Sequence, residues 1–437
     1  MKRFVGSVLL LVGLTAAIVV SAAGLYWLAS LGAAGAVWLG LPPAYGAAVV
    51  NMLTLGALVV MTLGAVLTVA ERKWSAMMQD RLGPNRIKVF GFSLGGVPFL
   101  LADAVKMLTK EDTRPTARSH ALFILAPIIA FASALALVAV LPFGPVVKVG
   151  EYPVALQIAP IDGGLLFIFA IASLAVYGTT LAGWASNNKL ALLGGVRAAS
   201  QMISYEVSLG LALVGSMMVF QSLRLEEMTL AQGRLLWGAI PALGIFLQPV
   251  GFLVFFISAI AETKRAPFDL PEGESEIVGY FVEYSGMKFG MLFLSEFVEI
   301  VVLAAVVTAV FLGGWHPIFF EQTIRQALEG SPIWWGAVAA GSFLVKMVLL
   351  CWLQLAIRWT VPRFRFDQVQ KLCWQGLLPV ALANVLITGA VVLLDGSLEL
   401  AAAIGFVEIA LLLIITFAAA RAPESGQRGA AHVAAGH

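Results

Sequence analysis

The stretch at residues 262–288 reads ETKRAPFDLPEGESEIVGYFVEYSGMK and lies between two apolar segments, each long enough to cross a bilayer. Only 12% of the chain is charged, yet this stretch holds the acidic residues Glu262, Asp269, Glu272, Glu274, Glu276 and Glu283. Pro267 and Pro271 prevent either flanking helix from continuing through it, because proline lacks an amide donor and disfavours a helical residue before it. The sequence therefore predicts an acidic loop attached directly to membrane-spanning segments.

Two interpretations of this acidic loop are open at the level of sequence. A loop exposed to water carries its charges without any fixed structure. A loop held against the rest of the protein brings carboxylates close together, where they repel one another and each raises the pKa of its neighbours. The second arrangement would make a site that handles protons or lines a substrate.

The composition is that of a polytopic membrane protein rather than a soluble enzyme. The 437 residues are 60% hydrophobic, and the mean hydropathy is +0.94. Two cysteines and four histidines, of which His432 and His437 lie in the tail, form no pattern for zinc, haem or iron–sulfur ligation. No nucleotide-binding glycine motif is present. We therefore predict that the chain binds no metal and that any redox cofactor lies on a partner.

Ten segments of about 20 or more mostly apolar residues are long enough to span a bilayer. They are residues 5–30, 47–70, 121–143, 163–185, 199–221, 236–261, 289–313, 333–357, 374–394 and 398–420. Their orientation follows from lysine and arginine, which are enriched in cytoplasmic loops. A cytoplasmic N-terminus places 22 of these basic residues on the cytoplasmic side and 4 on the other, with Lys346 inside the membrane. Both termini are therefore predicted to be cytoplasmic.

The two ends of the chain carry separate signals. Lys2 and Arg3 followed by an apolar run resemble a signal peptide, but the run is long for one, which favours an uncleaved helix. The tail at residues 421–437 is rich in alanine and glycine and is predicted to be disordered.

The predicted cytoplasmic segment at residues 71–120 mixes charges of both signs. Its basic residues alone would follow from the preference of lysine and arginine for the cytoplasmic side. The interspersed acids instead favour a network of ion pairs that docks a partner or shapes the mouth of a cavity. Residues 100–108 have apolar positions at helical spacing and predict a helix lying on the membrane surface.

Ionisable side chains inside the predicted spans are costly in a membrane and are usually functional. Such positions are occupied by Glu206, Glu296, Glu299, Lys346 and Glu408. Glu296 and Glu299 lie three residues apart and so share one helix face. Two interpretations are open: static buried ion pairs, for example between Lys346 and Glu299, or a path for protons from the acidic loop into the membrane.

Several near-contiguous motifs are similar to those of a known family. They are residues 71–73 (ERK), 81–86 (RLGPNR), 102–104 (ADA), Lys106, 110–112 (KED), 183–187 (GWASN), 197–198 (RA), Gln201, 204–206 (SYE), 262–276, 283–284, 295–297 (SEF), Lys346 and 362–368 (PRFRFDQ). At these motifs the chain resembles the quinone-chamber membrane subunit, of the H type, in respiratory complex I, the proton-pumping NADH:quinone oxidoreductase. That subunit lies at the junction with the hydrophilic arm. The resemblance covers residues 47–394.

The resemblance implies an all-α polytopic fold: an eight-helix core with one extra transmembrane helix at each end, about ten in total. The implied divisions are residues 1–46 (extra helix and linker), 47–394 (core), 395–420 (extra helix) and 421–437 (tail). The core would carry cytoplasmic quinone-site loops at residues 71–120, 262–288 and 358–372. The implied location is the bacterial inner membrane.

The resemblance also implies roles for individual residues. A chain of carboxylates that links quinone chemistry to proton translocation corresponds to Glu206, Glu262, Glu272, Glu274, Glu276, Glu283 and Glu296. The lining of the quinone chamber corresponds to Arg72, Arg81, Arg86, Asp103, Lys106, Phe268 and Asp269. Glu299 and Lys346 are placed on the proton path or in an ion pair. The residues predicted to dock partner subunits are Arg197, Arg363, Arg365 and Asp367.

The implied function is to form a quinone-binding chamber with the hydrophilic arm and to couple quinone reduction to proton translocation. Quinone would be the substrate, and FMN and iron–sulfur clusters would lie on partner subunits of complex I. The lipid bilayer is the other expected partner, and no nucleic acid is expected. Two alternatives are an equivalent subunit of a membrane-bound hydrogenase or ferredoxin-driven ion pump, and a secondary ion transporter. The type of quinone, the coupling ion and the electron donor remain open.

The chain departs from the family pattern at several positions. Residues 91–101 form a longer segment than usual before the Ala-Asp-Ala motif, which affects the predicted quinone entrance. Lys264 stands where asparagine is usual, and Glu299 stands where asparagine or an apolar residue is expected. Glu408, in the extra last helix, has no role to inherit from the family.

Overall fold

The computed structural model describes residues 2–87, 96, 98–115, 119–238, 240–273, 277–319 and 321–421, with the backbone alone for residues 2–12, 14 and 418–421. The helices are α1 (Lys2–Trp38), α2 (Pro43–Met78), α3 (Pro98–Thr109), α4 (His120–Val140), α5 (Gly164–Ala185), α6 (Lys189–Phe220), α7 (Leu225–Gln232), α8 (Gly244–Leu247), α9 (Pro249–Glu262), α10 (Gly286–Phe311), α11 (Glu321–Ala327), α12 (Pro332–Thr360), α13 (Phe366–Leu394) and α14 (Leu398–Arg421). Two short antiparallel hairpins pair β1 (Val147–Val149) with β2 (Tyr152–Val154), and β3 (Leu235–Leu236) with β4 (Ile240–Pro241). The prediction of an all-α polytopic fold is confirmed.

Local sequence sets where several helices begin. Pro43, Pro249 and Pro332 occupy the first turn of α2, α9 and α12, where the missing amide donor of proline is not needed. Asn188 caps α6, because its side chain accepts a 2.9 Å hydrogen bond from the backbone N–H of Leu190. Residues 100–108, predicted to be helical, lie within α3.

One of the ten predicted membrane-spanning segments, residues 236–261, is interrupted in the structure. Residues 236–261 do not form a single helix: the β3–β4 hairpin is followed by α8, and the chain breaks at Gln248 before α9 begins. Pro241 and Pro249 both lack the amide donor that a continuous helix requires. At 14 residues, α9 is too short to cross a bilayer by itself. Within the described ranges, nine helices are long and apolar enough to cross a membrane.

Helix α10 lies at the centre of the helix bundle. It packs against α2, α4 and α12, and every residue from Ser295 to Phe311 is buried. A helix that is apolar on all sides is stable only when other helices surround it. Glu296 and Glu299 lie within this buried stretch, so they need polar partners inside the protein.

Helices α1 and α14 lie at the periphery. α1 packs against α2 and α12, and α14 packs against α8 and α9. Gly32 and Gly46 allow α1 and α2 to approach so closely that a Cβ atom on either glycine would collide with the backbone of the other. Gly405 of α14 makes the same kind of approach to the carbonyl of Phe246 in α8.

Candidate functional site

The chain after α9 turns back into the protein. Lys264 has a φ of 56°, in the left-handed region that often ends helices, and its backbone N–H donates to the carbonyl of Ala261 at 3.2 Å. Gln201 on α6 fixes the turn by donating from Nε2 to the carbonyls of Ala261 (2.7 Å) and Phe268 (2.9 Å). Lys264 is 1% exposed and Asp269 is 6% exposed. Burial of this part of the loop excludes the interpretation that it is a solvated surface loop.

Arg265 connects the loop to two membrane-spanning helices. Its Nη1 lies 2.8 Å from Oε2 of Glu71 on α2, and its Nη2 lies 3.3 Å from Oε2 of Glu296 on α10. The guanidinium carbon also lies 4.0 Å from the ring centroid of Phe297. Arg358 on α12 pairs with the other oxygen of Glu71. The two acids and two arginines therefore form a network that joins the loop to three helices; Arg265 and Glu296 are buried, and Glu71 and Arg358 are partly buried.

Two further loop residues surround Glu296. The hydroxyl of Tyr280 donates to Oε1 of Glu296 at 2.9 Å, so both oxygens of this carboxylate have a partner. Burial raises the pKa of Glu272 well above its ordinary value; Glu296 adds to the rise, and Arg265 opposes it. Glu272 therefore holds a proton more readily than an exposed carboxyl group does.

Lys264 and Glu299, the two residues in this region expected to depart from the family pattern, face each other. Nζ of Lys264 lies 3.4 Å from Oε2 of Glu299, and the two side chains are 1% and 7% exposed. The suggested ion pair between Lys346 and Glu299 is therefore wrong.

Lys346 instead binds the chain where α10 ends. Its Nζ donates to the carbonyls of Leu312 (2.8 Å), Gly314 (2.8 Å) and His316 (2.6 Å), so all three ammonium donors have acceptors. Glu299 lies about 20 Å before Leu312 along the helix axis, at 1.5 Å per residue, which is too far for a contact with this ammonium. A cation at this position is also favoured by the dipole of α10.

Asp269 lies where the loop meets the segment that follows α12. It forms an ion pair with Arg363, and its Oδ1 has no partner among the described residues. Burial raises the pKa of Asp269 to about 6, although Arg363 acts to lower it. Arg363, predicted to dock a partner subunit, is thus bound to the loop of its own chain, and 50% of its side chain remains exposed.

The other predicted acids lie around this network or outside the described residues. Glu206 on α6 is half-buried. Glu283 accepts a 2.8 Å hydrogen bond from Nδ2 of Asn188 at the start of α6. Glu274 and Glu276 lie outside the described residues. The acids that the structure brings together are Glu262, Asp269, Glu272, Glu296 and Glu299.

Most of the basic residues predicted to line the chamber or to dock partners are exposed. Arg81 donates from Nε to Oε1 of Gln79 at 2.7 Å. Arg365 is exposed and pairs with Asp367 at 3.0 Å. Arg197 is half-buried, whereas Arg86 and Lys106 are exposed.

No individual role was predicted for Glu71, Arg265, Arg358 or Tyr280, which complete the network, although all four lie in segments predicted to form the site. Glu71 and Arg265 both belong to the quoted motifs, and Arg358 lies in the last turn of α12. A signal was available for Arg265, because an arginine within an acidic stretch next to a membrane needs a carboxylate partner if it is buried. Its actual partners could not be identified without the fold.

An apolar cavity of about 320 Å³ lies beside the network, between α2, α3, α4 and α10. Methionine, leucine, phenylalanine and alanine make up most of its lining, and Asp103 is the single ionisable residue among the described lining residues. Asp103 pairs with Arg72 at 2.8 Å. Phe293 lines the cavity, and its ring centroid lies 5.7 Å from the guanidinium carbon of Arg265. One aromatic ring therefore separates the apolar cavity from the buried charges.

These features define a class of protein: a polytopic α-helical membrane protein with a buried network of carboxylates and cations next to an apolar cavity. A family model described as NADH dehydrogenase matches residues 50–389. The chain belongs to this family. Helices α1 and α14 lie outside the matched residues.

Curated relatives cover most of the chain. It is 43% identical over 345 residues to the H 2 subunit of NADH-quinone oxidoreductase from Syntrophobacter fumaroxidans, covering 79% of this chain and 96% of that protein. Identity to the H 2 subunit of NADH-quinone oxidoreductase from Geobacter sulfurreducens is 44% over 336 residues, covering 77% and 93%. Identity to NADH-quinone oxidoreductase subunit 8 of Rhodothermus marinus is 42% over 349 residues, which cover 79% of this chain and 96% of that protein.

Proposed function

We propose that this chain is a membrane subunit of an NADH:quinone oxidoreductase and that it forms a quinone-binding chamber with partner subunits. The names of its relatives support the first part. The observation that carries the second part is the position of Phe293, which lines the apolar cavity and faces the guanidinium of Arg265. The chamber thus joins an apolar space to buried charges.

This arrangement suits the chemistry of quinone reduction. A quinone has an apolar isoprenoid tail, which fits an apolar cavity, and a headgroup that takes up electrons and protons. The headgroup becomes transiently anionic during reduction, and a nearby cation such as Arg72 stabilises that charge. Carboxyl groups that exchange protons can supply the protons that the product requires.

The buried carboxyl groups are the second part of the proposal, a route that couples quinone reduction to proton translocation. Glu296 lies about 15 Å, and Glu299 about 20 Å, from the start of α10 at 1.5 Å per residue. Glu262 lies close enough to interact with both Glu299 and Glu206. The set therefore extends from the loop into the membrane-spanning helices, as a proton relay requires.

Partner subunits complete the proposed machine. FMN and iron–sulfur clusters on those subunits would supply the electrons. The exposed side chains Arg86, Lys106, Arg365 and Asp367 are available to line the chamber or to dock the partners, and Glu274 and Glu276 would extend the relay. The proposed location is a bacterial inner membrane, with both termini on the cytoplasmic side.

Filling the cavity tests the quinone-binding part of the proposal. Ala65 lines the cavity, so Ala65→Phe places a ring where the quinone tail would lie. We expect NADH:quinone reductase activity to fall at least about tenfold, which is equivalent to about 1.4 kcal/mol. NADH oxidation by an artificial acceptor that does not use the quinone site should be unchanged.

Ala403→Phe, at an exposed position of α14, is the matched control and should leave both activities unchanged. Normal quinone reduction by the Ala65→Phe complex would contradict the proposed chamber. An equal loss of both activities would instead indicate a defect in assembly.

A further inference from the structure

Lys264 places a positive charge inside the carboxyl network. Its Nζ lies 3.4 Å from Oε2 of Glu299, and Glu262 and Glu296 are near enough to interact with it as well. Oε1 of Glu299 and Oε2 of Glu262 have no hydrogen-bond partner among the described residues. Lys264 therefore lies among three acids, two of which have an oxygen without a hydrogen-bond partner.

The position of Lys264 carries two energetic costs. Its φ of 56° is in the left-handed region, which glycine or asparagine adopts more easily than lysine. Its ammonium is almost completely removed from water, which is unfavourable unless carboxylates compensate it. Burial lowers the pKa of the Lys264 ammonium, the surrounding Glu299, Glu296 and Glu262 raise it, and the net shift is upward. The side chain therefore stays protonated.

The described network extends beyond Glu71, Arg265, Glu296 and Arg358 to the neighbouring charged groups, and in this wider set the acids outnumber the cations. The acids are Glu71, Glu262, Asp269, Glu272, Glu296 and Glu299, and the cations are Lys264, Arg265, Arg358 and Arg363. Complete ionisation would leave two uncompensated negative charges in a buried environment, which is unfavourable, so some carboxyl groups retain protons. Each buried cation reduces the number of protons retained.

We propose that Lys264 is a positioning residue that sets how many protons this network holds: it keeps Glu299 ionised and leaves Glu262 and Glu296 to exchange protons. This inference rests on the proposed function, because it concerns the same carboxyl groups. The charged groups facing Lys264 are Glu262 from α9 and Glu296 and Glu299 from α10. The charged groups that surround these three acids are Glu206 from α6, Glu71 from α2, Arg358 from α12, and Arg265 and Glu272 from the loop.

The test is the pH dependence of NADH:quinone reductase activity in the assembled complex. Lys264→Met removes a positive charge, so the neighbouring carboxyl groups hold their protons to a higher pH. The acidic limb of the profile should move about 1 to 3 pH units towards alkaline pH. Glu299→Gln removes a negative charge and should move the same limb towards acidic pH.

Two controls preserve the net charge of the network. Lys264→Arg keeps the cation, and the double variant K264M/E299Q removes one charge of each sign. Both should keep the acidic limb near its wild-type position. A purely structural role for Lys264 would lower the amount of complex without moving the limb.

Opposite shifts in the two single variants would support the inference, and unshifted limbs in both would overturn it. If the Lys264→Met complex does not assemble, the Glu299→Gln complex tests the inference by itself. An acidic limb at the wild-type position in Glu299→Gln would overturn the role of Lys264. Glu296→Gln separates this result from the proposed function. Normal turnover of Glu296→Gln would contradict the relay itself. If Glu296→Gln instead loses most of its activity, while the acidic limbs of Lys264→Met and Glu299→Gln stay at the wild-type position, only the role of Lys264 is excluded.

Discussion

The hydroxyl of Tyr280 donates a 2.9 Å hydrogen bond to Oε1 of Glu296, a residue that is 1% exposed in the centre of a membrane-spanning helix. The other oxygen of this carboxylate lies 3.3 Å from the guanidinium of Arg265. Partners for both oxygens reduce the cost of burying this carboxylate. The acidic loop thus provides the polar groups that the apolar helix α10 lacks, and the two elements depend on each other.

Tyr280→Phe should impair the network without changing its shape. A hydrogen bond to a charged group contributes about 1.5–3 kcal/mol. We therefore expect NADH:quinone reductase activity to fall by about ten- to hundredfold. Tyr284→Phe is the matched control, because the buried hydroxyl of Tyr284 has no hydrogen-bond partner among the described residues. Equal activities of the two variants would show that the Tyr280 hydrogen bond has no role in turnover.

Asp269 should make the stability of the complex depend on pH. Its pKa of about 6 in the folded protein lies above the ordinary value of 3.8, so the folded state binds the proton more tightly. The resulting stabilisation is fully present below about pH 4 and is lost as the pH rises through about 6; it amounts to about 3 kcal/mol.

Thermal unfolding of the complex between pH 4 and pH 7.5 measures this contribution. Asp269→Asn cannot lose a proton, so its Tm relative to wild type should rise with pH across this range. A Tm difference that does not change with pH would contradict the assignment to Asp269.

Arg72→Ala should affect quinone binding more than stability. Two exposed ion pairs have the same separation, 2.8 Å for Arg72–Asp103 and 2.8 Å for Arg114–Asp112. Exposed pairs contribute about 0–1 kcal/mol, so neither arginine should be needed for assembly. Because only Asp103 lines the cavity, we expect Arg72→Ala to raise the KM for quinone severalfold and Arg114→Ala to leave it unchanged. The same KM in both variants would place the quinone elsewhere.

Lys346→Met should reduce the amount of assembled complex. It removes the amino group that donates to three carbonyls at the end of α10, and each buried acceptor left without a hydrogen bond costs about 1–3 kcal/mol. Lys346→Arg should not restore assembly, because a planar guanidinium does not match a site built for an ammonium. Native gels measure the amount of complex, and normal assembly of Lys346→Met would contradict this structural role.

Helices and the acidic stretch can be predicted from sequence because apolar runs and proline positions are local properties. The break at Gln248 is harder to predict, since residues 236–261 are apolar enough to pass for a span although Pro249 starts a new helix. Pairings within the network are not local at all. Arg265 and Glu71 are 194 positions apart. The sequence places Lys346 inside a span but does not show that its partners are backbone carbonyls rather than a carboxylate.

Proton translocation by a complex carrying Glu296→Gln, measured in proteoliposomes supplied with NADH and quinone, tests whether the buried carboxyl groups form a relay. Glu329→Gln, which changes an exposed carboxyl group outside the network, is the matched control. We predict that the Glu296→Gln complex assembles and oxidises NADH with an artificial acceptor at the control rate, while quinone reduction and proton translocation both fall at least about tenfold. Quinone reduction and proton translocation at the control rate would show that these carboxyl groups form structural ion pairs and not a relay.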